Sequence, residues 1–298
     1  MGTTLYKNAD WIITMNEKRE KIRHGDLLIS GKEILDVGTD LEKKYEGTLK
    51  IDHVVEAEGT VILPGFVNVH HHTWQSLIRN IQATRGLKLE PWLTVMYEIY
   101  KDLNTDVARA GVYSGLGDML KTGCTTSNDL WYPHPVGVKY LVDAEIEAAA
   151  EIGIRFHPTR GFHSVPSSIV PPEVVDTKES VVEDTIRLVK KYHDRSRFSM
   201  CQVGIAPSIA QYETEDIIEA VVDLAEEYDI MVHGHLAESQ HEVEYTLKTW
   251  GCRPFEWFKR HRLLGKRFYF AHCIHLNEEE IAQMAETGTG VAHCPISN

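Results

Sequence analysis

The sequence predicts an α/β fold of the (β/α)8-barrel type, represented by seven βα units and preceded by a small β domain. Three observations point there. Short apolar runs alternate with amphipathic helical segments from residue 61 onward. Glycines stand where several of those helical segments end. The glycine fingerprint that a doubly wound open sheet carries after its first strand is absent.

Residues 1–60 come first, as a small β-sandwich part. LYKNADWIITM, DLLISGKEILDVG and HVVEAEGTVIL alternate or run in β-branched and apolar residues, broken by Gly25, Gly31, Gly38 and Gly59. That pattern predicts an antiparallel unit with nothing helical beyond a turn near LEKKY. After Pro64-Gly65 the rhythm becomes strand, then helix, defining a barrel over 61–298. Strands are expected at 61–69, 123–131, 154–162, 201–208, 230–237, 268–276 and 290–297. Amphipathic segments occupy 105–123, 138–153, 180–194, 213–229 and 277–288. In the fourth of these, Ile217, Ile218, Val221, Val222 and Leu224 hold one stripe and acidic residues the other side. Gly123, Gly153 and Gly288 sit where a left-handed C-cap is expected. A closed barrel needs eight strands, so the eighth is expected outside these residues, in a longer native polypeptide.

Composition narrows the function. Thirty-one basic against 44 acidic residues give a net charge of −13, which disfavours a nucleic-acid binder. No apolar run approaches the roughly 18 residues of a membrane span, and MGTTLYKNADW lacks the features of a secretory signal. A cytoplasmic homo-oligomer acting on a small molecule is expected. Five cysteines without a C-x-x-C pair are read as reduced packing residues, not a disulfide framework. The 16 histidines are the oddity, and they invite a search for metal-ligand spacing.

His70, His71 and His72 close the first long strand, where alternation puts His70 and His72 on one face, able to chelate one ion. His157, His233, His235, His272, His275 and His293 also fall near strand ends. In a βα barrel those ends form one face, the one that carries active sites, and converging imidazoles suit zinc or iron. Glu238, three residues past His235, can reach a water beside the ion and serve as general acid/base. It can equally be a helix N-terminal carboxylate stabilised by the macrodipole.

PGFVNVHHH, followed by HLAE, AHCIHL and HCPISN, resembles the amidohydrolase superfamily in its mononuclear-metal aminohydrolase branch. HHHTWQSLIR, GCTTSND, EIGIRFHPTRG and TGTGVAHCPISN are most similar to the group of 8-oxoguanine deaminase and hydroxydechloroatrazine ethylaminohydrolase. The resemblance implies that His70, His72 and His235 hold one divalent metal, zinc or iron, that Glu238 shuttles the proton and that His272 stands beside the attacking water. It leaves His71 and His233 to ligand orientation or packing and gives His293 a supporting place. The family's strand-eight aspartate has no counterpart after His293. Activity is therefore expected to require a further C-terminal segment, with Asp129 the first internal carboxylate to test as a substitute. No lysine ends CQVGIAPS, which disfavours a carboxylated-lysine binuclear site.

The chemistry so implied is hydrolytic deamination of a purine- or pteridine-type ring such as 8-oxoguanine, guanine or isoxanthopterin. The alternatives are an s-triazine amino- or chlorohydrolase, or an inactive fragment. Gln75 offers both donor and acceptor to a ring edge, and Arg160 offers a planar fork to a carbonyl or anion, unless either serves its own loops. Trp74 is a candidate stacking partner or a packing residue.

Overall fold

The computed structural model describes residues 2–297, which group into two compact units, one ending at Phe66 and one beginning at Val67. In the first unit β1 (Thr3–Ile13), β2 (Lys21–Ser30) and β3 (Glu33–Gly38) form an antiparallel meander. LEKKY forms a short helix, α1 (Leu41–Lys44), where the sequence suggested a turn. Leu41 closes over Leu5 and Leu28, and burial of this apolar trio is what holds one helical turn in place. The unit is not wholly antiparallel, as the sequence predicted. β4 (His53–Glu56) and β5 (Val61–Ile62) both pair with β1 in parallel, because a long connection returns the chain to its start.

The run at 61–69, read as one strand, is two. Val61 and Ile62 belong to the sheet of the first unit, whereas β6 (Phe66–Asn68) opens the second sheet. Pro64 explains the break, since it has no N–H to give to a ladder. From there the chain runs through α2 (Leu89–Tyr100), α3 (Thr105–Lys121), β7 (Cys124–Trp131), α4 (Leu141–Ile152), β8 (Arg155–Phe162) and α5 (Lys178–Tyr192). It continues through β9 (Gly204–Pro207), α6 (Glu215–Tyr228), β10 (Val232–Leu236), α7 (Gln240–Trp250) and α8 (Pro254–Arg260). β11 (Phe268–His272), α9 (Glu278–Thr287) and β12 (Gly290–Ala292) complete the order.

Strands β6 to β12 lie side by side in sequence order, and every pairing from β7–β8 to β11–β12 is parallel. Sequential parallel strands joined by helices are the arrangement of a (β/α)8-type barrel wall. The stripe of α6 is buried as its periodicity predicts, with Ile217, Ile218, Val221, Val222 and Leu224 all in the core. Trp74, Trp131, Phe162, Phe258 and Phe270 fill the same core without solvent exposure.

Two glycines let the site's elements approach one another. A Cβ on Gly234, between His233 and His235, would stand 2.5 Å from the Pro207 carbonyl oxygen. One on Gly111 of α3 would stand 2.9 Å from the Thr73 carbonyl oxygen, just past His72. Neither contact admits a side chain, so β9–β10 and α3 close on the histidine segments only because these positions are glycine.

Candidate active site

The end of β6 hands the chain to His70 and His72, and β10 delivers His235. A ring nitrogen from each of the three lies within 4.8 Å of the others. Their Nδ1 atoms are all engaged. His72 Nδ1 donates to the Leu130 carbonyl at 2.8 Å and His235 Nδ1 to the Ser208 carbonyl at 2.6 Å. His70 Nδ1 meets His233 Nε2 at 2.8 Å, and His233 Nδ1 meets the Tyr269 carbonyl at 3.0 Å. A carbonyl can only accept, so His233 carries its proton on Nδ1, and His70 must then donate to His233 Nε2.

In all three rings, therefore, Nε2 is the bare lone pair. His72 Nε2 and His235 Nε2 face each other at 3.3 Å with no proton to share. Burial holds His70 and His72 far below the usual imidazole range and depresses His235 to about 3, with the neighbouring histidines adding to the effect. Neutral imidazoles cannot relieve this opposition of lone pairs, but a cation between them can. Two nitrogens at about 2.0–2.1 Å from a tetrahedral zinc stand roughly 3.3–3.4 Å apart, so the pair is already at ligand spacing. The donor set fits one divalent cation.

Glu238 follows β10 directly, and its Oε1 lies 3.3 Å from His272 Nε2 at the end of β11. Burial, reinforced by the carboxylates of Glu242 and Glu90, pushes the Glu238 carboxyl up to about 8. Both residues line a cavity of about 720 Å3 that also takes in His70, His72, His235 and Gln75. Gln75 Nε2 donates to the Tyr100 hydroxyl at 3.1 Å, so that end of the amide is engaged.

The other sequence candidates lie elsewhere. Arg160 is buried outside this cavity, its guanidinium bonded to Asp176 at 2.8 and 3.1 Å, to Asp184 at 3.0 Å and to the Gly161 carbonyl. The structure therefore does not bring Arg160 to the histidines. A fully buried guanidinium takes its partners from the adjacent acidic residues. Trp74 packs on Trp131 at 4.6 Å in the core and does not line the cavity. Asp129 accepts the Thr73 N–H at 2.5 Å beside Glu145, which accepts the Thr73 hydroxyl, and it joins none of the cation-binding groups among the described residues. His71 does line the cavity, with its Nδ1 3.9 Å from Asp129. Cys294, not the exposed His293, turns toward His70 and His272.

The site also holds residues that sequence reasoning missed. Tyr132 lies edge-on to His72 at 5.1 Å and to His163 at 5.1 Å. His163 and the Tyr97 hydroxyl, 2.5 Å apart, form another part of the wall. Alternation along β8 held the signal for His163: a strand-end residue three places from Arg160 lies on the opposite face.

Residues 61–298 match the model of the amidohydrolase family. The chain is 34% identical over 246 residues to the 8-oxoguanine deaminase of Pseudomonas aeruginosa, covering 82% of this chain and 55% of that protein. It is 30% identical over 305 residues to the hydroxydechloroatrazine ethylaminohydrolase of Pseudomonas sp. strain ADP, covering 99% of this chain and 63% of that one. Among solved structures, the atrazine chlorohydrolase of Arthrobacter aurescens complexed with zinc superposes with a TM-score of 0.90 at 25% identity, over 98% of this chain and 65% of that one. The chain thus spans less than two thirds of the length of these relatives. Since the family model spans well over half of the chain, this chain belongs to the amidohydrolase family.

Proposed function

We propose that the protein is a zinc-dependent hydrolytic deaminase of an aromatic N-heterocycle of purine or pteridine type, such as 8-oxoguanine, guanine or isoxanthopterin, releasing ammonia. The observation that carries this reading is the Glu238–His272 pair at 3.3 Å in one cavity with three neutral imidazoles. When bound, zinc supplies Lewis acidity that makes a water acidic enough to act as a nucleophile near neutral pH.

The chain's own residues do the rest. Glu238, with its carboxyl pushed up to about 8, holds a proton at neutral pH and can give it to a ring nitrogen beside the amino-bearing carbon. It then takes the proton of the hydroxyl added to the ring carbon and passes it to the departing amine, so that the C–N bond breaks, the carbonyl forms and ammonia leaves neutral. His272 holds the oxygen that becomes the product carbonyl. Gln75, with its amide nitrogen engaged by Tyr100, presents its oxygen as an acceptor for a ring N–H. His233 keeps His70 in the tautomer whose Nε2 can bind the ion. The unpaired thiols of all five cysteines support a cytoplasmic setting.

The s-triazine reading keeps the same residues and draws support from the 99% coverage by the ethylaminohydrolase relative. A panel of 8-oxoguanine, guanine, isoxanthopterin and N-alkylamino-s-triazines, assayed for ammonia and amine release, tests both. Turnover of a bicyclic ring supports the proposal. Amine release from triazines alone moves it to the second reading, and no turnover of any ring with the expected C-terminal segment supplied overturns both.

A further inference from the structure

We propose that Glu242 is a positioning residue that fixes the direction in which Glu238 points, a role that rests on Glu238 being the proton carrier. Ser239, Gln240, His241 and Glu242 have the S-x-x-E pattern of a helix capping box at the start of α7. In such a box the serine hydroxyl takes the amide three residues on, and the carboxylate returns to the amide of the serine. The first half is made, with Ser239 Oγ accepting the Glu242 N–H at 3.2 Å. The second half extends beyond the cap, with the Glu242 carboxylate taking the amides of Ala237 and Glu238 as well as that of Ser239. Glu242 Oε1 accepts the Ala237 N–H at 3.1 Å and Oε2 accepts the Glu238 N–H at 2.9 Å, so the carboxylate reaches back past the cap into the turn that carries Glu238.

That turn needs such a clamp. Ala237 has φ 49, a left-handed conformation that an L-residue adopts only under constraint. On its carbonyl edge, Leu236 O accepts the Cys273 N–H and Ala237 O accepts the His275 N–H, each at 2.9 Å. Glu242 supplies the amide edge. With both edges pinned, the Glu238 side chain is aimed at His272, which leaves the same β11 end that provides those amides. Glu242 has no solvent exposure, so truncating it would strand two amide donors in a buried turn. A helix cap alone requires neither bond, because Ala237 and Glu238 precede the helix.

The test uses the zinc-loaded protein and Glu242→Gln, which keeps one acceptor oxygen but sets an amide NH2 against the second backbone donor. We expect amide hydrogen exchange at Ala237 and Glu238 to quicken at least about 10-fold. We also expect kcat to fall by about 10- to 100-fold, with KM held within about 2-fold. Glu242→Asp carries the same comparison should the glutamine variant not fold. A lowered melting temperature with even loosening of the first turn of α7, and unchanged kcat per folded molecule, would leave Glu242 as a cap and overturn the proposal. Absence of turnover in the unaltered protein would instead count against the reading of Glu238, and the exchange pattern at Ala237 and Glu238 would then decide the clamp by itself.

Discussion

His72 Nε2 and His235 Nε2 stand 3.3 Å apart, each left without a proton because the Nδ1 of its own ring donates to a main-chain carbonyl. A divalent cation between two buried lone pairs opposed in this way would relieve their repulsion. Purified protein should therefore carry about one zinc per chain. Replacing His70 and His235 together by Ala should abolish binding, and His233→Ala should weaken it by about 10- to 100-fold through loss of the bond to His70. Elemental analysis and zinc titration check both, and full occupancy in the double variant would sink the ligand assignment.

Glu238→Gln keeps the shape and hydrogen-bonding reach of the side chain but removes its ability to shuttle a proton. Turnover should fall by at least about 10²-fold while zinc content stays near that of the unaltered protein. Near-normal kcat would return Glu238 to the role of a carboxylate stabilising the start of α7.

Arg160→Ala should cost stability, not substrate recognition. It strands the buried Asp176 carboxylate, a loss of about 3–5 kcal/mol. Denaturant unfolding should register that loss, with KM unchanged for any ring substrate. A KM raised with stability intact would put Arg160 back among the substrate contacts.

The contrast between Arg160 and Glu238 shows what the sequence could and could not convey. The pairing of His70 with His72 was legible from their spacing, although β6 ends at Asn68 and both histidines lie past it, not within a strand as expected; β10 presents His235 near its end. Period-two alternation says that Arg160 and His163 face opposite ways, but not which one faces the cavity. That depends on the acidic partners Asp176 and Asp184, which become neighbours only when the chain from β8 to α5 has folded. Trp74 was ambiguous for a related reason, since an indole next to a ligand can stack on a ring or pack on Trp131. The parallel strands were legible because β and α segments alternate. The pairing of β4 and β5 with β1 was not, because strand direction across a long connection leaves no mark on periodicity.

The contribution of Glu213 to stability should fall as pH rises above the ordinary carboxylate range. Burial raises its carboxyl well above the usual value, and neighbouring His163, held near 3, offers no countercharge above about pH 5. Above the unfolded value of about 4.3–4.5 the folded state binds more protons than the unfolded one, so each pH unit costs up to about 1.4 kcal/mol until the raised value is passed. Relative to the unaltered protein, Glu213→Gln should gain stability with each pH unit by up to that amount. Unfolding free energies at pH 5, 6 and 7 with the same slope in both proteins would contradict it.

The most direct measurement of the whole account is ammonia release from a purine- or pteridine-type substrate by protein that carries the C-terminal segment activity is expected to require, while zinc is added back stepwise to its metal-free form. The account predicts a rate that rises from near zero and saturates at about one equivalent of zinc per chain, with the Glu238→Gln protein binding the same zinc and staying near the baseline. Saturation at two equivalents, or ammonia release that does not depend on added zinc, would contradict it.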